Sequence, residues 1–316
     1  MKTTLCTLFE GHYHFGVAAL VNSLVAAGYE GTVWVGHRGP LPDWIADRPG
    51  FDASIGRLQV TPDLDLRVVE LNPPVSLNYY KPTFMRDILE TLEVEAGAVS
   101  YVDPDVVVKC GWATMQSWLS VDGIALVEDA DWNMPANHPK RDRWDEFFAL
   151  HGEVPKRRLD RYYNAGFVCV GRNRIPFLRA WERINERVAT ESGSGMRDRK
   201  SGGPDSLFHS TDEDALNFTL SLCETPLNTA GPEAMDFVPG GNRLSHAVGA
   251  DKPWQGQHIR RALRGCPPSV ASHWYYRFAD GPLTPFPVAV LARRRLSIML
   301  ADALGRLWAG LHPVRI

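Results

Sequence analysis

Apolar residues in this chain come in two patterns that alternate along its length. Residues 3–9, uncharged and carrying Leu5, Cys6, Leu8 and Phe9, read as a buried strand, and a polar, aromatic turn follows at 11–16. Over 17–27 the spacing becomes helical, with Ala18, Val21, Leu24 and Val25 on one face, and Gly28 supplies a stop. Residues 31–36 and 66–71 are strand-like again. A helix is predicted over 82–93, strands over 98–102, 124–127 and 167–170, and a helix over 177–188. Strands and helices taken in turn predict an α/β protein, a Rossmann-like and mostly parallel sheet with helices on both faces. Ligands of such sheets bind outside the carboxyl ends of the strands. Glu10 and Tyr13 follow one such end, and Asp103 and Asp105 follow another.

Composition narrows this picture. A chain of 316 residues suits one large α/β domain or two small ones and can bury a substantial core. Hydrophobic content of 44% and charged content of 22% are ordinary for a soluble globular protein. A formal charge of −3 argues against a nucleic-acid partner, which usually meets a basic domain. Ten tryptophans suit either core filling or stacking on sugar faces. The cysteines are Cys6, Cys110, Cys169, Cys223 and Cys266, odd in number and without metal-type spacing. Cys6 and Cys169 fall inside apolar runs and are expected to be buried free thiols, so the expected location is the cytoplasm. Residues 1–4 lead into a strand and not into a signal region. No apolar run reaches the roughly 18 residues that a membrane span needs. Residues 191–205, rich in Gly, Ser and charge, read either as a lid or as a plain insertion.

Candidate chemistry lies in two separated strings. Tyr101-Val-Asp103-Pro-Asp105 sets two carboxylates just past a buried strand, where both can aim at one divalent ion. The pattern is cheap, because Asp129-Ala-Asp131 repeats it after another strand. The second string, His246-x-x-Gly249-x-x-Lys252-Pro253-Trp254, is more specific. An imidazole adds a third ligand, which Mn²⁺ tolerates better than Mg²⁺. Gly249 allows backbone to approach phosphate oxygens, Lys252 supplies a compact charge for them, and Pro253 fixes the chain after the lysine. Together the strings describe a divalent metal beside a diphosphate, which is equipment for cleaving a nucleotide-sugar bond.

These strings, with Tyr163-Asn164-Ala165-Gly166-Phe167 and the stretch from Asp212 to Asn217, resemble glycosyltransferase family 8, the GT-A group that includes glycogenin and bacterial lipopolysaccharide galactosyl- and glucosyltransferases. The resemblance covers most of the chain, from about Thr3 to Trp254. It implies a GT-A fold and a retaining, metal-dependent transfer from a nucleotide-diphosphate sugar, a UDP-sugar, to a surface glycan or glycolipid. It assigns Asp103, Asp105 and His246 to Mn²⁺ (or Mg²⁺), and Gly249 and Lys252 to the diphosphate. Glu10 and Tyr13 fall at the base, Asn164 and Asp212 at the donor sugar. Lys81 stands where relatives have an arginine near the phosphates. Asp212, Glu213 and Lys252 become the candidate catalytic residues. Glu213 replaces a glutamine found in several relatives, and its carboxylate either serves the reacting carbon or turns away to pair with a base such as Arg172.

The C-terminal residues suggest a second unit, with the transferase domain over 1–282 and a basic amphipathic tail over 283–316. Leu296, Leu300, Leu304, Leu307 and Leu311 recur at helical spacing with Trp308 alongside, and Arg293, Arg294, Arg295, Arg306 and Arg315 face one acid, Asp302. Such a helix either lies on an anionic membrane surface, making the protein peripheral on the inner face of the plasma membrane, or docks on the core with solvated arginines. The rivals to a transferase are a catalytically silent sugar- or nucleotide-sugar-binding protein and a sugar nucleotidyltransferase. The latter normally has a glycine- and arginine-rich loop where this chain reads Glu10-Gly-His-Tyr-His.

Overall fold

A computed structural model of the chain describes residues 2–130, 133–192, 203 and 205–311, with side chains as far as Leu307. Asp131, most of the 191–205 stretch, the side chains of Trp308 and Leu311, and Arg315 lie outside the described residues. The strands are β1 (Thr3–Glu10), β2 (Gly31–Arg38), β3 (Phe51–Asp52), β4 (Arg57–Thr61), β5 (Leu64–Glu70), β6 (Ala98–Val102), β7 (Val106–Val108), β8 (Ile124–Glu128), β9 (Tyr163–Gly171), β10 (Leu227–Ala230) and β11 (Leu244–His246). The helices are α1 (His14–Ala27), α2 (Asp43–Ala46), α3 (Lys81–Asp87), α4 (Trp112–Leu119), α5 (Pro139–Ala149), α6 (Ile175–Ser192), α7 (Thr211–Ser221), α8 (His258–Ala262), α9 (Val270–Phe278) and α10 (Val288–Leu311).

Nine strands form one sheet in the order β10-β8-β9-β6-β1-β2-β5-β4-β3. β1 pairs in parallel with β2 and β6, β2 with β5, and β10 with β8. β4 and β9 run against their neighbours. The expected Rossmann-like, mostly parallel α/β sheet is present. The strand expected at 167–170 is longer, begins at Tyr163, and is reversed. β7 and β11 form a separate antiparallel pair.

Alternation along β1 divides the core. Leu5 and Phe9 face one side, with Val17, Leu20, Val21 and Leu24 of α1. Cys6 and Leu8 face the other, with Phe84, Trp144, Trp181 and Phe218. Each such aliphatic or aromatic side chain contributes roughly 1.5–3 kcal/mol by leaving water. α1 is buried almost all round, not on the single face expected, because a third apolar group covers its back. That group includes Trp254, Tyr275, Tyr276, Phe286, Leu291 and Ile298. Gly28 ends α1 in the left-handed conformation, at φ 76°.

Burial of Leu291 and Ile298 makes the C-terminal segment part of the body. Leu283 is fully buried, and the Asn22 side chain clasps its backbone: Oδ1 accepts from the Leu283 N–H at 2.9 Å and Nδ2 donates to its carbonyl at 2.8 Å. α10 packs through Leu291, Ile298 and Ala301. The leucines of the expected stripe face elsewhere, with Leu296 at 53% exposure, Leu300 at 48% and Leu307 at 65%. Cys6 and Cys169 are buried free thiols, as expected. Among the described residues no helix is long and apolar enough to cross a membrane.

Candidate metal and diphosphate site

The site forms where β6 ends. The Asp103 N–H donates to the Gly166 carbonyl at 2.8 Å, so the carboxylate hangs off the sheet edge at a fixed height. Asp105 precedes β7, and β7 pairs with β11 so that His246 lies opposite Val106. The Ala247 N–H donates to the Asp105 carbonyl at 2.9 Å and locks this register. His246 Nε2 thereby sits 3.1 Å from Asp105 Oδ1 and 3.8 Å from Asp103 Oδ2. One donor atom from each of the three residues falls within 4.8 Å of the others. Two hard carboxylate oxygens and one imidazole suit Mn²⁺, with further positions left for water or phosphate. The other ring nitrogen, His246 Nδ1, is buried and has no hydrogen-bond partner among the described residues.

Close packing fixes these ligands. A methyl at Gly166 would lie 2.6 Å from His246 Cε1, 2.7 Å from Asn164 Oδ1 and 3.0 Å from Asp103 Oδ2, so only glycine leaves room. A methyl at Gly16, in α1, would overlap the Pro104 carbonyl, so the helix presses directly on the turn between the two aspartates. Tyr101 donates its hydroxyl to Asp103 Oδ1 at 2.8 Å.

Two buried lysines neutralise the aspartates. Lys81 Nζ donates to the Ala165 carbonyl at 3.0 Å and bridges Asp103 Oδ1 at 3.2 Å and Asp212 Oδ2 at 3.4 Å. Burial lowers its pKa, yet Asp103, Asp212 and Glu213 together leave it above the usual lysine value. Lys252 Nζ donates to Asp105 Oδ2 and, at 2.7 Å, to the Ala247 carbonyl. Burial raises the Asp105 pKa, but the His246 ring and the Lys252 ammonium outweigh it and hold the carboxyl well below its ordinary range. Neither lysine is among the residues that line the cleft. Gly249 takes a positive φ of 90° in an exposed loop and carries open space where a side chain would stand.

A second polar group adjoins the first. Asn164 Nδ2 donates to Asp129 Oδ2 and to Glu213 Oε1, both at 2.8 Å, while its Oδ1 accepts from the Gly166 N–H at 2.8 Å. Asn164 therefore ties the two carboxylates to the strand beside the metal ligands. Asp129 had a place in the sequence only as half of a rival metal pair; here it belongs to this cluster. Burial and the carboxylates of Asp212 and Asp129 push the Glu213 pKa well above the ordinary glutamate value. Glu213 does not pair with Arg172, whose guanidinium donates instead to the Ala96 and Glu93 carbonyls.

Glu10, Tyr13, Ser76, Asn78, Asp103 and Asp105 line one cleft of about 240 Å³. Trp254 sets the Tyr13 ring by an edge contact at 5.5 Å, and its indole N–H donates to His12 Nδ1 at 2.7 Å. The Glu10 carboxylate is half exposed and pairs with Arg38 at 3.2 Å. Ser76 and Asn78 gave no sequence signal. They reach the cleft from the segment before α3, which Arg38 holds by donating to the Pro73 carbonyl at 3.0 Å. A larger cavity of about 740 Å³ opens between Phe15, Trp44 and Phe286, and contains none of the candidate residues. No family model matches the chain, and no curated protein matches it in sequence.

Proposed function

We propose that this chain is a metal-dependent, retaining glycosyltransferase of the GT-A type, similar to glycosyltransferase family 8. It would move a sugar from a UDP-sugar to a surface glycan or glycolipid. The observation that carries the reading is the convergence of Asp103, Asp105 and His246 from distant parts of the chain, the two aspartates lining a cleft that also holds Glu10 and Tyr13. A divalent ion bound by these three residues supplies the charge that neutralises a departing diphosphate. Tyr13 offers its ring to the base, and Glu10 accepts from a base N–H. Gly249 leaves its loop open to phosphate oxygens. Lys252 adds positive charge where the leaving group gains negative charge, an interaction stronger in the transition state than before it.

Asn164, Asp129, Asp212 and Glu213 face the donor sugar in this reading. Burial beside the Asp212 and Asp129 carboxylates raises the Glu213 pKa and so favours its protonated form. A protonated carboxyl donates a hydrogen bond to a sugar hydroxyl as an amide does, and is a poor nucleophile. Retention then follows from attack on the same face as the departing diphosphate, without a covalent intermediate on Glu213. For the acceptor, α10 offers exposed Leu296, Met299, Leu300 and Leu307 beside exposed Arg293, Arg295 and Arg306. That combination suits an anionic membrane carrying a lipid-linked glycan.

The deciding experiment is a nucleotide-sugar hydrolysis screen with Mn²⁺, reading released nucleotide. Release from a UDP-hexose that stops with EDTA is expected, and the first product seen by NMR should keep the donor's anomeric configuration. Absence of metal-dependent release from every donor would overturn the proposal.

A further inference from the structure

Charge balance around the metal ligands has a consequence for how they fill. Asp103 and Asp105 are 15% and 5% exposed at their side chains, and each already carries an ammonium partner, Lys81 on one and Lys252 on the other. The two lysines differ. Lys81 is shared between Asp103 and Asp212 and is fixed on the Ala165 carbonyl, so it keeps a carboxylate whatever happens at Asp103. Among the described residues Lys252 has Asp105 alone as its carboxylate and otherwise donates to the Ala247 carbonyl. Its backbone is pinned: the N–H donates to Gln255 Oε1 at 3.1 Å, and Pro253 and the buried Trp254 follow. Its side chain is the part that can turn. One direction is marked by the Tyr13 ring, 5.8 Å from Nζ, which lines the cleft.

We propose that Lys252 is the resident cation of this site, displaced from Asp105 by the divalent ion and delivered by that displacement to the diphosphate. The inference rests on the metal-site reading above. A metal ion and an ammonium at the same buried carboxylate compete for it. An ion held by Asp105 would draw on the charge that Lys252 now shares, leaving the buried ammonium short of a counter-charge, which is costly. An anion entering the cleft restores the balance. Metal and diphosphate therefore bind cooperatively, each raising the affinity of the other by the same factor. Without a diphosphate, Lys252 holds the site against free metal.

The test is a Mn²⁺ titration of the full chain, followed by the electron paramagnetic resonance of free Mn²⁺, with and without UDP. For the wild type, UDP should tighten Mn²⁺ binding by about tenfold, within the range usual for coupled sites. For Lys252→Met, Mn²⁺ alone should bind about tenfold tighter than to the wild type, because the competitor is gone, and most of the enhancement by UDP should vanish. Lys252→Arg should behave as the wild type. If the methionine variant does not fold, Lys252→Gln keeps a donor for the Ala247 carbonyl without the charge, and the same order is expected of it. Wild-type Mn²⁺ binding with equal or weaker binding by the uncharged variants would overturn the inference alone. No Mn²⁺ binding by any form, with or without UDP, would remove the metal site and this inference with it.

Discussion

A single methyl group tests the geometry most sharply. Gly166→Ala introduces a Cβ 2.6 Å from His246 Cε1, 2.7 Å from Asn164 Oδ1 and 3.0 Å from Asp103 Oδ2. Real carbon contacts do not come this close, so something must move. The backbone is poorly placed to yield, because the Gly166 N–H donates to Asn164 Oδ1 and its carbonyl accepts from Asp103. Its φ is not among the positive values, so alanine carries no backbone penalty and the clash is isolated. The imidazole must therefore swing away from the carboxylates, or the Asn164 clamp must open. Overpacking of this kind costs about 1–3 kcal/mol of stability. Displacing one ligand of three should weaken metal binding by roughly 10–100-fold, as loss of a supporting group does at other metal sites. Urea unfolding without metal gives the first quantity and a Mn²⁺ titration gives the second. A variant that binds Mn²⁺ as tightly as the wild type would refute the proposed ligand set, whatever its stability.

Three further outcomes are expected. Asp103→Asn should abolish Mn²⁺ binding at little cost in stability, since Lys81 keeps Asp212, whereas Asp105→Asn should cost about 3–5 kcal/mol by stranding Lys252; adding Lys252→Met to Asp105→Asn should recover most of that loss in urea unfolding, and equal stabilities of the two single variants would contradict the pairing. Glu213, with its folded pKa above the ordinary 4.5, holds its proton when the unfolded chain has released it, so it erodes stability as pH rises from that value towards the folded pKa; Glu213→Gln should gain on the wild type as pH rises above 4.5 in metal-free unfolding, and parallel pH curves would show that the carboxyl is not so shifted. Leu296→Ser with Leu300→Ser should leave the fold intact and release the protein from anionic liposomes in co-sedimentation at low salt, where each nearby arginine contributes roughly 1 kcal/mol; binding unchanged by the pair, or absent in the wild type, would count against membrane docking through α10.

Strong local pattern made parts of this architecture readable from sequence. The parallel strands β1, β6 and β8 are almost wholly buried and nearly free of charge because both sheet faces are covered. The edge strand β3 and its neighbour β4 escaped notice, being only two and five residues long and held in place by tertiary pairing. Asp103, Asp105 and His246 were legible because ligand chemistry restricts residue type. The pairing of Lys81 with Asp212 and of Lys252 with Asp105 was not, because these partners lie 131 and 147 positions apart. Gly166 stood inside a recognised motif, but its reason depends on how β9 registers against β6. The leucine spacing in α10 was correctly helical, yet spacing does not say which face docks. Leu291 and Ile298 won that face because Trp254, Tyr275 and Phe286 await them.

The short ribbon of β7 and β11 makes the metal site a late event in the life of the chain. Asp103 and Asp105 leave the ribosome well before His246, and the intervening residues supply α4 to α7, β8, β9 and β10. A nascent chain can complete β1, β2, β5 and β6 and still possess no imidazole to close the ligand set. Only when residues 244–247 zip onto 105–108 does the third donor arrive. Metal affinity resting on these three donors would thus be withheld from partly built chains and come only to finished ones. A bound ion would in turn staple the two ends of this long loop, so unfolding that starts at the C-terminal segment must first release it.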